Sequence, residues 1–509
     1  MDLTPKQLGF HYPSWHPGQE QALDWIMSQY QNTHVLLLDA PTASGKSAIA
    51  KSLEQLTGEW AYNATWSKKL QKQYATEFGV PTIMGRGNFE CKPGTESGLE
   101  FCDGRFCDDD EPTKGVEGTL APFCPFLQQF YAGTAAPFTV LNYLVLFHYL
   151  THAKRPLPHR EWIICDEAHM LEDGIGMFVD VYLDRIWFEK VDFPVELPYL
   201  GGSMTTKADI INWAKQAKDV EVGGESRKTQ LQWNQAKQLA ERAVEACGKG
   251  FIIDDNGLVI SIRCLWPLEL ARELFIDNFT HVLLMSATLG DMDALSKALL
   301  LPRDSYQALS VPSCIPAASR PIYIEPVASL VHDAKELDYT TMADAIIRWA
   351  SEQFPNEKGI IHVSSYAMAK KLGRLIYSRG MGDRIVIQDR RDNRIQDYWE
   401  HTPATILISP VAGLGLDLPY LFSWQVIAKL AYPFLGDKII KMRKNADIDW
   451  YLRQTANKTV QTAGRVCRTP TDEGITIIAD SSFGSNLWKR TKASFPGWFV
   501  DAMRWPSSS

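Results

Sequence analysis

The sequence predicts an α/β protein with two separate parallel-sheet domains, and three observations carry that prediction. Short apolar runs alternate with helical stretches, the alternation comes in two blocks, and a long polar helical segment interrupts the first block. Alternation of this kind is the signature of strands buried on both faces by crossover helices.

In the first block His34–Leu38 is an apolar run that ends in a turn rich in small residues, followed by a helical stretch over Lys46–Leu56. Trp162–Cys165 and His281–Met285 are two further runs of strand type. Between them, from about Asp173 to Asn278, long polar patterns over Lys207–Ala217 and Arg227–Glu245 predict an inserted, mainly helical domain, with a break at Gly223–Gly224. The second block begins after about Val311 and contributes Gly359–Val363, Ile385–Ile387, Thr405–Ile408, Gln425–Leu430 and Gly474–Ala479. Ligands of parallel sheets gather at the carboxyl ends of the strands, so the turns that follow these runs are the places to look for chemistry.

Size and composition agree with this plan. At 509 residues the chain has room for about three domains. Its 45% hydrophobic and 22% charged residues are those of an ordinary globular protein. The first residues lack a secretory signal, and the most apolar stretch, Thr139–Leu150, is too short to span a bilayer. A cytoplasmic protein without membrane contact is the expectation. A net charge of −8 excludes coating nucleic acid by bulk charge but leaves room for a local basic groove. Lys68–Lys72, Lys370–Arg374, Lys438–Lys444 and Lys489–Lys492 are basic clusters, each equally readable as solvated surface.

The residues Ala40, Pro41, Thr42, Ala43, Ser44, Gly45, Lys46 and Ser47 follow a strand and open a helix. Backbone N–H groups in such a turn, with the helix N-terminus, cradle phosphate. Lys46 is placed to reach the β- and γ-phosphates of ATP and Ser47 to put its hydroxyl on Mg²⁺. The strict pattern has glycine where this chain has Ala40, so the motif draws its specificity from context. Asp166, at the end of the second run, is a carboxylate placed beside the metal, and Glu167 is suited to orient or deprotonate a water. Gln461, Gly464, Arg465 and Arg468 recur at spacings of three and four and, on a helix, share one face. Two arginines brought from the second domain can offset charge on a transferring phosphoryl group, a contribution of ~10³-fold or more in rate.

Nine cysteines in a cytosolic chain do not suggest a disulfide framework. Four of them, Cys91, Cys102, Cys107 and Cys124, fall in one short loop-rich segment that can bring thiolates to a point. Spacing alone leaves iron–sulfur and zinc both open. After the first helix, Asn63, Thr65 and Ser67 can donate to backbone phosphates at the end of a strand expected beside the phosphate loop. Trp66 can stack on a base or sit in the core, and Ser365 with Tyr366 forms a similar pair in the second block.

The ordered set of the phosphate loop, Asp166–His169, Ser286–Gly290 and Gln461–Arg468 resembles superfamily 2 helicases, and specifically the XPD/DinG family. The stretches His16–Gln19, Met84–Cys91, Cys124–Phe126, Leu141–Tyr143 and Phe495–Trp498 are similar to that family's landmarks, so the resemblance covers nearly the whole chain. It implies two RecA-like motor domains, an iron–sulfur domain and an Arch domain inserted in the first motor. The expected layout is motor 1 over 1–84, 129–174 and 276–312, cluster domain over 85–128, Arch-like insertion over 175–275 and motor 2 over 313–509. It also implies a 4Fe–4S cluster on the four cysteines and ATP-driven movement, usually 5′ to 3′, on single-stranded or on forked and tailed duplex DNA, as a monomer. By the same resemblance Gln19 joins the nucleotide site and Asp417, with Ser286 and Thr288, couples it to movement. Asp39 and Leu414 stand where the family usually has glutamate, and the short stretch before Gln19 leaves no room for an N-terminal nuclease domain. An ATP-switched structural component of a DNA repair or replication complex, or an RNA-directed helicase, shares these motifs.

Overall fold

Two seven-stranded sheets and a smaller antiparallel one organise the computed structural model. It describes residues 4–90, 107–108, 111–112, 124–153, 156–198, 205–223, 226–389, 394–411 and 422–506. The first sheet runs in the order Tyr306–Ser310, Val35–Asp39, His281–Ser286, Trp162–Asp166, Ala61–Thr65, Phe138–Asn142 and Thr82–Ile83, all parallel. The second runs Ile385–Ile387, Ile406–Ser409, Gly359–His362, Trp424–Ile427, Ile475–Asp480, Ile322–Ala328 and Met503–Arg504, again all parallel.

The central strands are buried at every position, which is why they read as unbroken apolar runs. Alternation then sorts their side chains. Leu37, Ile163 and Leu284 pack into one layer of core, whereas Leu36, Leu38, Ile164 and Leu283 pack into the opposite one. Each such side chain contributes ~1.5–3 kcal/mol by leaving water. This arrangement fixes the register of the sheet and delivers Asp39, Thr65, Asp166 and Ser286 to its carboxyl edge.

The insertion is mainly helical, as expected, and adds a small sheet that the sequence reading lacks. Its helices Lys207–Lys218 and Arg227–Gly248 do pack on one another, each started by a side-chain cap from Thr206 and Ser226. A three-stranded antiparallel sheet of Val181–Asp184, Val259–Arg263 and Ile252–Asp255 completes the unit. Its hairpin turns at Asn256-Gly257, with Gly257 at φ +86° and Asn256 Oδ1 accepting from the N–H groups of Leu258 and Val259. The Ala61–Thr65 strand departs from its expected place: two strands, His281–Ser286 and Trp162–Asp166, separate it from Val35–Asp39. Cys91, Cys102 and the Gly413–Asp417 loop lie outside the described residues. No described helix is long and apolar enough to cross a membrane.

Candidate functional site

The loop 40–45 leaves the strand Val35–Asp39 and turns into the helix Lys46–Thr57 through two left-handed residues, Ala43 (φ +66°) and Gly45 (φ +73°). Gly45 is required there. A Cβ on it would sit 1.9 Å from Gln19 Nε2, because the buried Gln19 lies across the loop and donates to the Gly45 carbonyl at 3.4 Å. Gln19 is itself held by the His16 N–H at 2.9 Å. Lys46 Nζ lies under the loop, 3.2 Å from the Ala40 carbonyl and 3.4 Å from that of Pro41. Ser44 is buried with no partner for its hydroxyl. A turn with a buried hydroxyl to spare and a cation beneath its backbone is chemically fitted to an anion.

Two strands away, Asp166 ends its strand and Glu167 follows in a left-handed conformation at φ +57°, a strained state for a non-glycine residue. The turn is held by the Glu167 N–H donating to Asp166 Oδ1 at 2.9 Å and by the Tyr143 hydroxyl donating to the Asp166 carbonyl at 2.9 Å. Burial raises the Asp166 carboxyl above its ordinary range, and neighbouring Glu167 adds to this against the pull of Lys46. Burial also acts upward on Glu167, but His169, Lys46 and Arg465 outweigh it and hold that carboxyl low. Glu167 is therefore an ionised acceptor, and its side chain is partly open to the cleft.

From Glu167 a polar chain crosses to the second sheet's domain. His169 Nδ1 stands 3.2 Å from Glu167 Oε2 and 2.7 Å from the Ser286 hydroxyl. Ser286 Oγ accepts from the Thr288 N–H at 3.1 Å, and Gln461 Nε2 donates to Thr288 Oγ1 at 3.1 Å. Gln461 belongs to the helix Ile448–Ala463, which lays one face along the first domain. Trp450 and Gln454 reach Glu172, Asn457 touches Gly290, and Gln461 reaches Thr288.

The expected single helical face for Gln461, Gly464, Arg465 and Arg468 is corrected here. The helix ends at Ala463, so the two arginines lie beyond it. Glycine at 464 weakens the helix, and Thr469-Pro470 cannot continue it. Asp472 holds the turn instead, accepting from the N–H groups of Arg468 at 2.7 Å and Thr469 at 2.9 Å. All four residues still line one cavity of about 480 Å³ with Thr42, Glu167, His169 and Thr288. Trp66 lines it too while packing against the core. Ser365 and Tyr366 begin the helix Tyr366–Ile376, with Ser365 capping the Met368 N–H. Trp498, Gln454, Asn457 and Lys458 also line it, and the sequence reading gives them no role there. The Phe495–Trp498 stretch was the one available signal.

Of the four clustered cysteines, Cys124 is half-buried at the start of the helix Pro125–Ala135, close to Phe126, which stacks under Arg86 at 4.6 Å. The strand Cys107–Asp108 pairs antiparallel with Glu111–Pro112. Among the described residues no group of three or more His, Cys, Asp or Glu side chains is arranged to hold a metal.

Residues 349–502 match the family model described as a helicase C-terminal domain. The second parallel-sheet domain is therefore similar to a helicase C-terminal domain. The fold of the whole chain is that of solved XPD helicases. A solved XPD helicase is 14% identical, with 97% of this chain and 100% of that one covered at a TM-score of 0.62. Xpd4 of S. tokodaii is likewise 14% identical over 97% and 100%, at 0.61. An apo XPD structure is 15% identical over 93% and 98%, at 0.59. No curated protein matches the chain by sequence.

Proposed function

We propose that this chain is an ATP-dependent DNA helicase of the XPD/DinG type that moves 5′ to 3′ along single-stranded DNA. The observation that supports this best is the meeting, on one cleft, of Thr42 from the phosphate loop, Glu167 from the first domain and Gln461, Arg465 and Arg468 from the second. A site divided between two domains can turn nucleotide chemistry into relative motion, because each half interacts with different atoms of the same nucleotide.

In this reading Lys46 and the loop N–H groups bind the ATP phosphates, with Gln19 bracing the loop. Ser47 and Asp166 would hold Mg²⁺, which when bound neutralises phosphate oxygens. Glu167 orients the attacking water and accepts from it. Arg465 and Arg468 stabilise charge on the transferred phosphoryl group. Thr288, Gln461 and Asp417 report the state of the site to the second domain. Trp66 and Ser365–Tyr366 contact the strand without reading its sequence.

The test is ATP turnover with and without single-stranded DNA, followed by unwinding of 5′- and 3′-tailed duplexes. We expect DNA to stimulate turnover strongly, Glu167→Gln to abolish it, and 5′-tailed DNA alone to be opened. Turnover indifferent to nucleic acid would sink the motor reading, and stimulation by RNA alone would redirect it to an RNA substrate.

Cys91, Cys102, Cys107 and Cys124 are proposed to bind a 4Fe–4S cluster. In a segment with so little apolar material the cluster's binding energy is folding energy. Cys102→Ser should therefore yield little soluble protein and lose the brown colour. Zinc in colourless wild-type protein prepared without oxygen would overturn the iron assignment.

A further inference from the structure

Asn63 lies fully buried in the Ala61–Thr65 strand, and neither Oδ1 nor Nδ2 of its amide has a hydrogen-bond partner. A primary amide offers two donors and an acceptor, and leaving all of them unmet in a core is unfavourable unless something else completes them. The strand geometry says where the amide sits. Ala61, Asn63 and Thr65 share one face of the sheet, and Asn63 pairs with Ile164 on the neighbouring strand. On that strand Trp162, Ile164 and Asp166 share the same face, so the Asn63 amide stands on the layer that also carries the Asp166 carboxylate.

Tyr74, on the helix Lys68–Phe78, covers this layer. Its ring is fully buried among Ala61, Trp162 and Phe138, and its hydroxyl donates to Asp166 Oδ2 at 2.9 Å. Ser47 and Asn63 lie beside the same hydroxyl. The single phenolic proton is committed to Asp166, so the Tyr74 oxygen can at most accept from Asn63 Nδ2, and the Asn63 carbonyl oxygen is left without a donor. An apolar residue at either position would fill the core without a polar cost. Two polar side chains instead converge on the serine and carboxylate assigned to Mg²⁺, one holding the carboxylate and one with its amide oxygen unmet.

We infer that Tyr74 and Asn63 are positioning residues for the metal–nucleotide site: Tyr74 fixes the Asp166 carboxylate, and Asn63 serves the hydration shell of the cation. Mg²⁺ gives up water reluctantly, so a protein site for it needs groups that accept and orient that shell as well as direct ligands. The inference rests on the nucleotide-binding reading of this site but not on helicase activity.

The test uses full-length protein with Mn²⁺ as the spectroscopic stand-in, following free Mn²⁺ by electron paramagnetic resonance in the presence of ADP. Tyr74→Phe removes only the hydroxyl, and Asn63→Val places a strand-forming side chain in the core. Each variant should weaken Mn²⁺ binding about 10-fold. ADP affinity measured in EDTA should stay at the wild-type value and Asn63→Val should melt no lower than wild type, which separates positioning from a structural role. Mn²⁺ affinity within twofold of wild type in both variants would overturn the inference, as would wild-type protein that takes up no Mn²⁺ with ADP. Wild type that binds Mn²⁺–ADP, loses it in the variants, yet hydrolyses no ATP would support the inference and defeat the helicase reading.

Discussion

Arg465→Ala is expected to lower DNA-stimulated ATP turnover by roughly a thousandfold while leaving nucleotide affinity within about tenfold. Arg465 stands just beyond the helix Ile448–Ala463 and lines the same cavity as Glu167, and its charge helps keep that carboxyl ionised. In the proposed site the loop around Lys46 already holds the triphosphate in the ground state. The guanidinium adds most where negative charge develops on the transferring group, so the loss falls on kcat. Arg465→Lys should recover only a part, because a point charge on a flexible stem does not reproduce a planar fork. Arg468→Ala should cost less, about 10–100-fold by the same reasoning, since its backbone is fixed by Asp472 whichever side chain it carries. Steady-state kinetics at saturating single-stranded DNA measure all three. A loss below tenfold in Arg465→Ala would remove the residue from the reacting site.

The parts of this architecture that sequence reveals are those whose signal is local. Val35–Asp39, Trp162–Asp166 and His281–Ser286 are buried on both faces, so their composition alone marks them. Tyr306–Ser310 is an edge strand with mixed exposure and gives no such run. Phe138–Asn142 is hidden because only Asn142 separates it from the apolar helix Tyr143–Thr151, and periodicity cannot divide so continuous a stretch into two elements. Its boundary is still written in Asn142, whose side chain caps the Val145 N–H. The insertion's hairpin is legible too, in Asn256-Gly257 between two β-branched runs, but the long helical patterns around it dominate. The phosphate loop, Asp166–Glu167 and the arginines are motifs because their chemistry requires fixed spacing. Tyr74 and Glu172 act through contacts made only after folding, and no spacing announces them.

Glu172→Ala is expected to destabilise the protein by ~3–5 kcal/mol and to uncouple ATP turnover from DNA. Glu172 lies in the first turn of the helix Leu171–Val179, five positions after Glu167. Among the described residues its three side-chain donors come from the second domain: Arg443 Nη1 at 3.0 Å, Trp450 Nε1 at 3.1 Å and Gln454 Nε2 at 3.0 Å. Both charges of the Glu172–Arg443 pair are about nine-tenths covered, and Arg443 also donates to the Leu265 carbonyl at 2.6 Å. A charge pair so desolvated adds little over an apolar pair, yet removing one partner strands the other, which is where the penalty arises. Glu172→Leu combined with Arg443→Met should therefore be far milder than either single change. The functional consequence follows from the lever. The contact at Trp450 and the contact at Gln461 lie eleven positions apart on one helix, or ~16 Å. Fixing the near end against Glu172 makes the far end, with Arg465 just beyond it, follow any rotation of the second domain. The double variant should thus fold, bind nucleotide and retain DNA-independent turnover, but lose most of the stimulation by single-stranded DNA. Urea unfolding read with the ratio of DNA-stimulated to basal turnover separates the two effects. Full stimulation in a folded double variant would reduce Glu172 to a structural tie between the domains.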